Sequence, residues 1–252
     1  MKMDYQSPAN TLCNKTILVT GASRGIGRAV AKAYAKEGAS VILLARSIKD
    51  LESLYDEIES EGYQKPAIYP FNLANANPSD YQDLMRSIEG HYGKLDGLVH
   101  NAAMLGSLTP LEHYPIEQWY QVIQVNLNSV FLLTQATLPL LKRAEQASII
   151  FTLANEGQQG KAYWGAYGVS KFGIQGFMQV LADELEENTS IRVNSINPVA
   201  VETALRRSAY PAEPLNIHPK VETLLPLYLY LMGPDSLQVR GKNFDMQHLN
   251  LL

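Results

Sequence analysis

Cysteine is almost absent from this 252-residue chain, and its one thiol, Cys13, cannot close an intramolecular disulfide. Nothing therefore points to an oxidising compartment, and a reduced cytoplasm is the expectation. Positive charge is not in excess either. With 21 basic against 25 acidic side chains, there is no surplus to condense on a polyanion, so nucleic acid and anionic membrane are not expected partners. Long apolar runs are missing: stretches such as residues 41–45 fall far short of a membrane span, and residues 1–10 lack the apolar core of an export signal. The five histidines (His91, His100, His113, His218, His248) are scattered without metal-ligand spacing, so no metal is expected.

What is present is enough apolar residue, 46%, to bury one large core, which predicts a single compact domain near the upper size for one. Only the polar residues 1–13 look unable to order themselves. Apolar β-branched runs alternate with helix-period segments: strands at 16–20, 41–44, 67–73, 95–100, 148–153 and 191–196, and helices at 26–37, 48–60, from 78, at 118–143 and at 163–187. That alternation predicts an α/β fold, a Rossmann-like doubly wound parallel sheet with helices on both faces. Residues 200–221 are the least regular part. There Pro211, Pro214 and Pro219 interrupt any long helix, and the segment follows a strand's carboxyl end, where such sheets bind ligands, so it reads as a substrate lid.

Between the first strand and first helix stands Thr20-Gly21-Ala22-Ser23-Arg24-Gly25-Ile26-Gly27. Glycines there let the backbone turn tightly and approach a pyrophosphate, with the helix amino terminus facing its charge. The second strand ends Leu44-Ala45-Arg46, with no acidic residue to bind both ribose hydroxyls of NAD. An arginine suits a 2′-phosphate instead, and Arg24 supplies a second cation, so NADP(H) is expected over NAD(H).

With this turn, His100-Asn101-Ala102-Ala103 after the fourth strand, Asn126 within a helix and Tyr167-Gly168-Val169-Ser170-Lys171, the chain resembles the short-chain dehydrogenase/reductase family from about residue 14 to 247, most of all its bacterial YciK-type subgroup. The resemblance implies an oxidoreductase that moves a hydride between nicotinamide and a small carbonyl or alcohol, assembled as a homodimer or homotetramer. It implies that Tyr167 is the general acid/base, that Lys171 holds the nicotinamide ribose and that Asn126 orders a water. Tyr167 and Lys171, four apart on a helix, share a face, and the ammonium is expected to lower the tyrosine pKa. Cofactor contacts carry over onto Gly21, Ser23, Arg24, Gly25, Ile26, Gly27, Arg46, Asn72, Leu73, Asn101, Ala102, Ala103, Tyr167, Lys171, Pro198 and Thr203.

Departures from the family pattern gather around the same cleft. The serine that hydrogen-bonds the substrate carbonyl commonly lies thirteen residues before the tyrosine, where this chain has Ala154. Asn155 is adjacent and could donate, whereas Thr152 is about two residues, roughly 6–7 Å, upstream. Val199 replaces a glycine after the sixth strand, Asn72 stands where an aspartate commonly touches adenine, and Ala103 replaces a glycine. Two readings follow: a retuned or weakened reductase, or a dinucleotide-binding protein without turnover that senses or scaffolds. Tyr163 and Trp164 fit either a pocket lining or packing. Val122, Val125, Leu132, Leu133, Phe172, Phe177 and Leu181 on the two long helices suit pairing between subunits, though core packing demands the same stripe.

Overall fold

The computed structural model describes residues 5–198 and 200–246. In chain order the elements are β1 (Thr16–Thr20), α1 (Gly25–Lys36), β2 (Ser40–Ala45), α2 (Ile48–Ser60), β3 (Ala67–Pro70), α3 (Pro78–Tyr92), β4 (Gly97–His100), α4 (Ile116–Ile123), α5 (Ser129–Leu141), β5 (Ala147–Thr152), α6 (Gly165–Glu186), β6 (Ile191–Asn197), α7 (Ala204–Ala209), α8 (Leu225–Met232) and β7 (Asn243–Asp245). The strands form one parallel sheet in the order β3-β2-β1-β4-β5-β6-β7. This is the Rossmann-like doubly wound arrangement that the alternation of patterns predicts.

Strand parity divides the core. Leu18 of β1 faces the side covered by α3, α5 and α6, where Leu84, Leu133 and Ile174 are buried with it. Ile17 and Val19 face the other side, with Val30 of α1, Leu54 of α2 and Leu231 of α8. Both faces are covered, which is why the central strands read as continuous apolar runs. The chain leaves β1 toward β2 and β3 on one flank and adds β4 on the other, so the carboxyl ends of β1 and β4 part at a topological switch point.

Four segments differ from the sequence reading. The helix expected over 118–143 is two helices, α4 and α5, joined by a π turn at Gln124–Asn128 that carries the buried Asn126. β3 ends at Pro70 because Asn72 closes a turn, its Oδ1 accepting from Ala74 N at 3.1 Å and its backbone oxygen from Asn75 N and Ala76 N. The helix expected from 163 starts at Gly165, since Tyr163 sits at φ +74°. The amino-terminal segment is packed from residue 5 onward. Tyr5 donates to Asp235 at 2.8 Å, and Leu12 is fully buried in the core beside α1. Residues 1–4 of that segment, Val199 and His248 lie outside the described residues.

Candidate active site

At the switch point two side chains, Thr20 and Asn101, bind the main chain. Thr20 Oγ1 donates to Val99 O (3.1 Å) and accepts from the N–H groups of Asn101 (2.9 Å) and Ala102 (3.1 Å). Asn101 Nδ2 donates back to Thr20 O at 3.2 Å. The ends of β1 and β4 are thus welded, and Gly21, Ala102 and Ala103 are held beside each other. Gly25 takes φ +58°, a conformation other residues rarely adopt, while a Cβ at Gly27 would stand 2.4 Å from Gly21 O and 2.5 Å from Asn101 Nδ2. Such a turn admits only glycine, and it lets α1 start close to the sheet. The first turn of α1 has no side-chain cap, so its N–H donors are available to a ligand. A dinucleotide fits this cradle.

Arg24 stands at the amino end of α1 and Arg46 just beyond β2; both are exposed and neither forms an ion pair among the described residues. Ser23 precedes Arg24 in the glycine turn and Ile26 follows Gly25 in the first turn of α1. Asn72 is exposed but its Oδ1 is engaged in its own turn, and Leu73 turns its side chain into the core, leaving its backbone for any contact. Thr203 caps α7 by accepting from Arg206 N at 3.1 Å, and its methyl lies 3.5 Å from where a Gly25 Cβ would be, bringing the far side of the cleft to the glycine turn. Pro198 follows β6 at the same edge.

Tyr167 and Lys171 lie on one face of α6 and are buried, at 5% and 3% exposure. Lys171 Nζ donates to Thr152 O at the end of β5 (2.9 Å) and sits 5.6 Å from the centre of the Tyr167 ring. Burial pulls the Lys171 ammonium down to about 8, with the Glu156 carboxylate opposing. Burial, reinforced by Glu156, pushes the Tyr167 phenol well above its ordinary range. The downward pull of Lys171 on Tyr167 expected from the helix spacing is absent: the phenol is raised by its burial, and the ammonium donates to Thr152 O. Asn126 is fully buried. Its Oδ1 accepts from Met104 N (2.7 Å), and its Nδ2 donates to Met104 O (2.9 Å) and Ser170 Oγ (3.0 Å). Ser170 in turn donates to Tyr167 O at 2.7 Å, so the amide braces the turn of helix that carries the tyrosine.

The segment after β6, expected to be a lid, packs beside Tyr167. Ala209 of α7 is buried against Trp164 and Tyr167, with Ala154, Leu205 and Tyr210 packed beside them. Trp164 is buried in this cluster, whereas Tyr163 is 59% exposed. Asn155 Oδ1 accepts from Asn197 Nδ2 at 2.7 Å, which leaves its amino group without a partner among the described residues. Of the helical stripe, Val122, Leu133 and Leu181 are buried within the subunit, while Phe131, Val169, Phe172 and Val180 of α5 and α6 are exposed. Among the described residues no three His, Cys, Asp or Glu side chains could jointly hold a metal, and no helix is long and apolar enough to cross a membrane.

Three groups escaped the sequence reading as site residues: Thr20, Ser170 and Glu156. Thr20 and Glu156 carry a signal in retrospect, a polar residue closing an apolar strand and a carboxylate just beyond one.

Comparison with known proteins agrees with this geometry. The short chain dehydrogenase family model matches residues 15–214. An uncharacterized oxidoreductase, YciK of Escherichia coli K12, is 43% identical over 245 residues, covering 97% of this chain and 96% of that protein. A short chain dehydrogenase structure from Pseudomonas syringae superposes with a TM-score of 0.94 at 51% identity, over 96% of this chain and 98% of that one. Another, from Shigella flexneri and complexed with NADP, gives 0.92 at 42% identity, over 95% and 100%. The chain belongs to the short-chain dehydrogenase family of oxidoreductases.

Proposed function

We propose that this protein reduces a small carbonyl compound with NADPH, or oxidises the matching alcohol with NADP. The observation that carries this reading is the burial of Tyr167 and Lys171 on one turn of α6, with Lys171 bound to the end of β5. When bound, the nicotinamide supplies the hydride. Tyr167 gives its proton to the carbonyl oxygen; with its pKa raised it is protonated at neutral pH, the form reduction needs. Lys171 places a cation beside the ribose and the phenol. Asn126 holds α6 in place, and because both N–H bonds of its amide are engaged, a water relay at this residue uses its backbone oxygen. Arg24 and Arg46 bind the 2′-phosphate, and the Shigella relative complexed with NADP supports that preference.

Ala154 packs against the cluster of Trp164, Tyr167 and Ala209 with a methyl group where the family commonly has a hydroxyl. A missing donor to a developing oxyanion costs about 10²–10³ in rate. This favours a weakened site, and it is also what favours the second reading, a cofactor-binding protein without turnover. The exposed apolar residues of α5 and α6 support a homodimer or homotetramer in a cytoplasmic setting, and elution at monomer mass at micromolar concentration would count against that assembly.

The deciding experiment is calorimetric titration with NADPH and separately NADH, followed by NADPH consumption over a carbonyl panel. Micromolar NADPH binding with much weaker NADH binding and measurable consumption is expected. Binding without consumption selects the second reading, and binding of neither nucleotide overturns both.

A further inference from the structure

At the edge of the sheet opposite the glycine turn, the amino ends of the strands leave a cavity of about 180 Å³. Thr11, Lys15, Asp96, Gln146, Arg192 and Met232 line it, with Pro234 beside them. Lys15 precedes β1, Asp96 precedes β4, Gln146 precedes β5, and Arg192 lies near the start of β6. Arg192 is only 2% exposed, and its hydrogen bonds go to neutral oxygens. Nη1 donates to Leu231 O (3.0 Å) and to Ser236 Oγ, and Nη2 reaches Met232 O only at 3.5 Å. Nε is buried without a partner among the described residues. Asp96 shares the cavity but is already satisfied: Oδ1 accepts from Lys94 (2.9 Å) and Lys15 (3.5 Å), and Oδ2 from Thr16 N (2.9 Å). Asp235, next to Pro234, accepts from Tyr5 OH.

Capping explains part of this arrangement, because a cation at the carboxyl end of α8 meets unsatisfied carbonyls. It accounts for Nη1 and leaves the rest of the guanidinium unexplained. Burial pulls Arg192 down to about 10, so it is charged at neutral pH. A buried charge is costly unless an opposite charge offsets it, and a buried donor without an acceptor calls for a water or an ion. Of the lining charges, Lys15 and Arg192 outnumber Asp96 by one, which matches a monoanion. The least engaged edge of Arg192 is Nε with Nη2, whose parallel N–H bonds fit the two oxygens of a carboxylate. Nε is enclosed in the cavity wall, so a ligand reaches it by a small local shift. We propose that this cavity binds a short-chain monocarboxylate, its carboxylate held by Arg192 and Lys15 and its alkyl end against Met232 and Pro234. The site lies across the sheet from the nucleotide cradle, and its test needs neither cofactor nor turnover.

The full-length protein, labelled with ¹⁵N, is titrated with sodium butyrate replacing sodium chloride at constant ionic strength, and the backbone amides are followed by NMR. Saturable shifts at Thr11, Gln146 and Gly233 are expected, with a Kd of about 1–10 mM, while Gly21 and Gly25 stay in place. Butylammonium, with the same chain and the opposite charge, should move none of them. Arg192→Lys keeps the charge but loses the fork and should weaken butyrate roughly tenfold. Because Arg192 also caps α8, Lys15→Gln supplies a second variant: Lys94 still pairs Asp96, and butyrate should weaken about fivefold. No saturable shift at this cavity, the same shifts with butylammonium, or a Kd unchanged by Lys15→Gln overturns the proposal. Shifts confined to the glycine turn overturn it too, since they place the carboxylate in the nucleotide cleft.

Discussion

The two sides of the cleft are held together by different bonds. On the nucleotide side, Thr20 and Asn101 join β1 to β4 through hydrogen bonds that each tie one of their side chains to the main chain, and α1 approaches so closely that a Cβ on Gly27 would meet a backbone oxygen. On the substrate side, side chains meet side chains: Lys161 with Tyr210, Arg206 with Glu213, and His218 Nε2 with Glu213 at 3.0 Å. Main-chain contacts are fixed once the strands are in register, and they suit a ligand that never changes. Side-chain contacts at the lid can be exchanged at modest cost, since partly exposed ion pairs are worth little, and they suit a site that must open.

Removing the proton donor breaks this comparison most sharply. Tyr167→Phe should lower reductase turnover by about 10²–10⁴ while nucleotide affinity measured by calorimetry stays within a few-fold, because no cradle contact involves the phenol oxygen. A parallel loss of NADPH binding would mean that the two sides are one energetic unit.

Acid tests the nucleotide side next. His100 ends β4, stacked on Phe151 at 4.9 Å and bonded through Nε2 to Thr134 Oγ1 at 2.8 Å, and complete burial holds its pKa down to about 3. The folded state keeps the imidazole neutral, whereas the unfolded chain takes up a proton near its ordinary value of about 6.5. Its contribution is therefore fully present above pH 6.5 and is lost progressively as the pH falls toward 3, on the order of 4–5 kcal/mol in all. Thermal unfolding followed from pH 7 to pH 4 should show a steep loss that His100→Gln flattens. An unchanged slope in that variant would place the acid sensitivity elsewhere.

The substrate side sharpens through a gain. If Ala154 stands where the oxyanion donor belongs, Ala154→Ser should raise turnover by about 10²–10³ and leave nucleotide affinity unchanged. A flat response would assign the role to a donor already present, and the amino group of Asn155, without a partner among the described residues, is the candidate.

The same division governs how far the sequence could be read. Strand order, both faces of the sheet and the glycine turn follow from period-two and period-3.6 patterns and from glycines whose backbone geometry no other residue tolerates, so they are written locally. Tyr167 and Lys171 are legible because four residues on a helix fix a shared face. The π turn at Asn126 is not, since it depends on a bond to Met104, more than twenty residues away. Neither is the direction of the shift at Tyr167: helix spacing shows the ammonium nearby, but only the packed surroundings show that burial raises the phenol. The anchored amino-terminal segment escaped for a related reason. Its composition is polar, and Leu12 finds its place beside Glu37, whose backbone oxygen accepts from Leu12 N at 3.0 Å.

The smallest expected effect concerns the two arginines, which lie at the nucleotide side yet act through exposed side chains. Arg46→Ala and Arg24→Ala each remove one guanidinium from the proposed site of the 2′-phosphate, while the glycine turn and the Thr20 weld remain. A charge-assisted bond to phosphate is strong when buried, but exposure and salt reduce it, so each variant should weaken NADPH about tenfold and leave NADH unchanged. If the two cations grip the phosphate independently, the double variant should lose about a hundredfold, and raising the salt concentration should shrink each loss. A double variant no worse than Arg46→Ala alone would show that Arg24, despite its place in the glycine turn, points to solvent. Selectivity for NADP(H) would then reside in a single side chain at the end of β2, the one part of the nucleotide side built in the same interchangeable way as the lid.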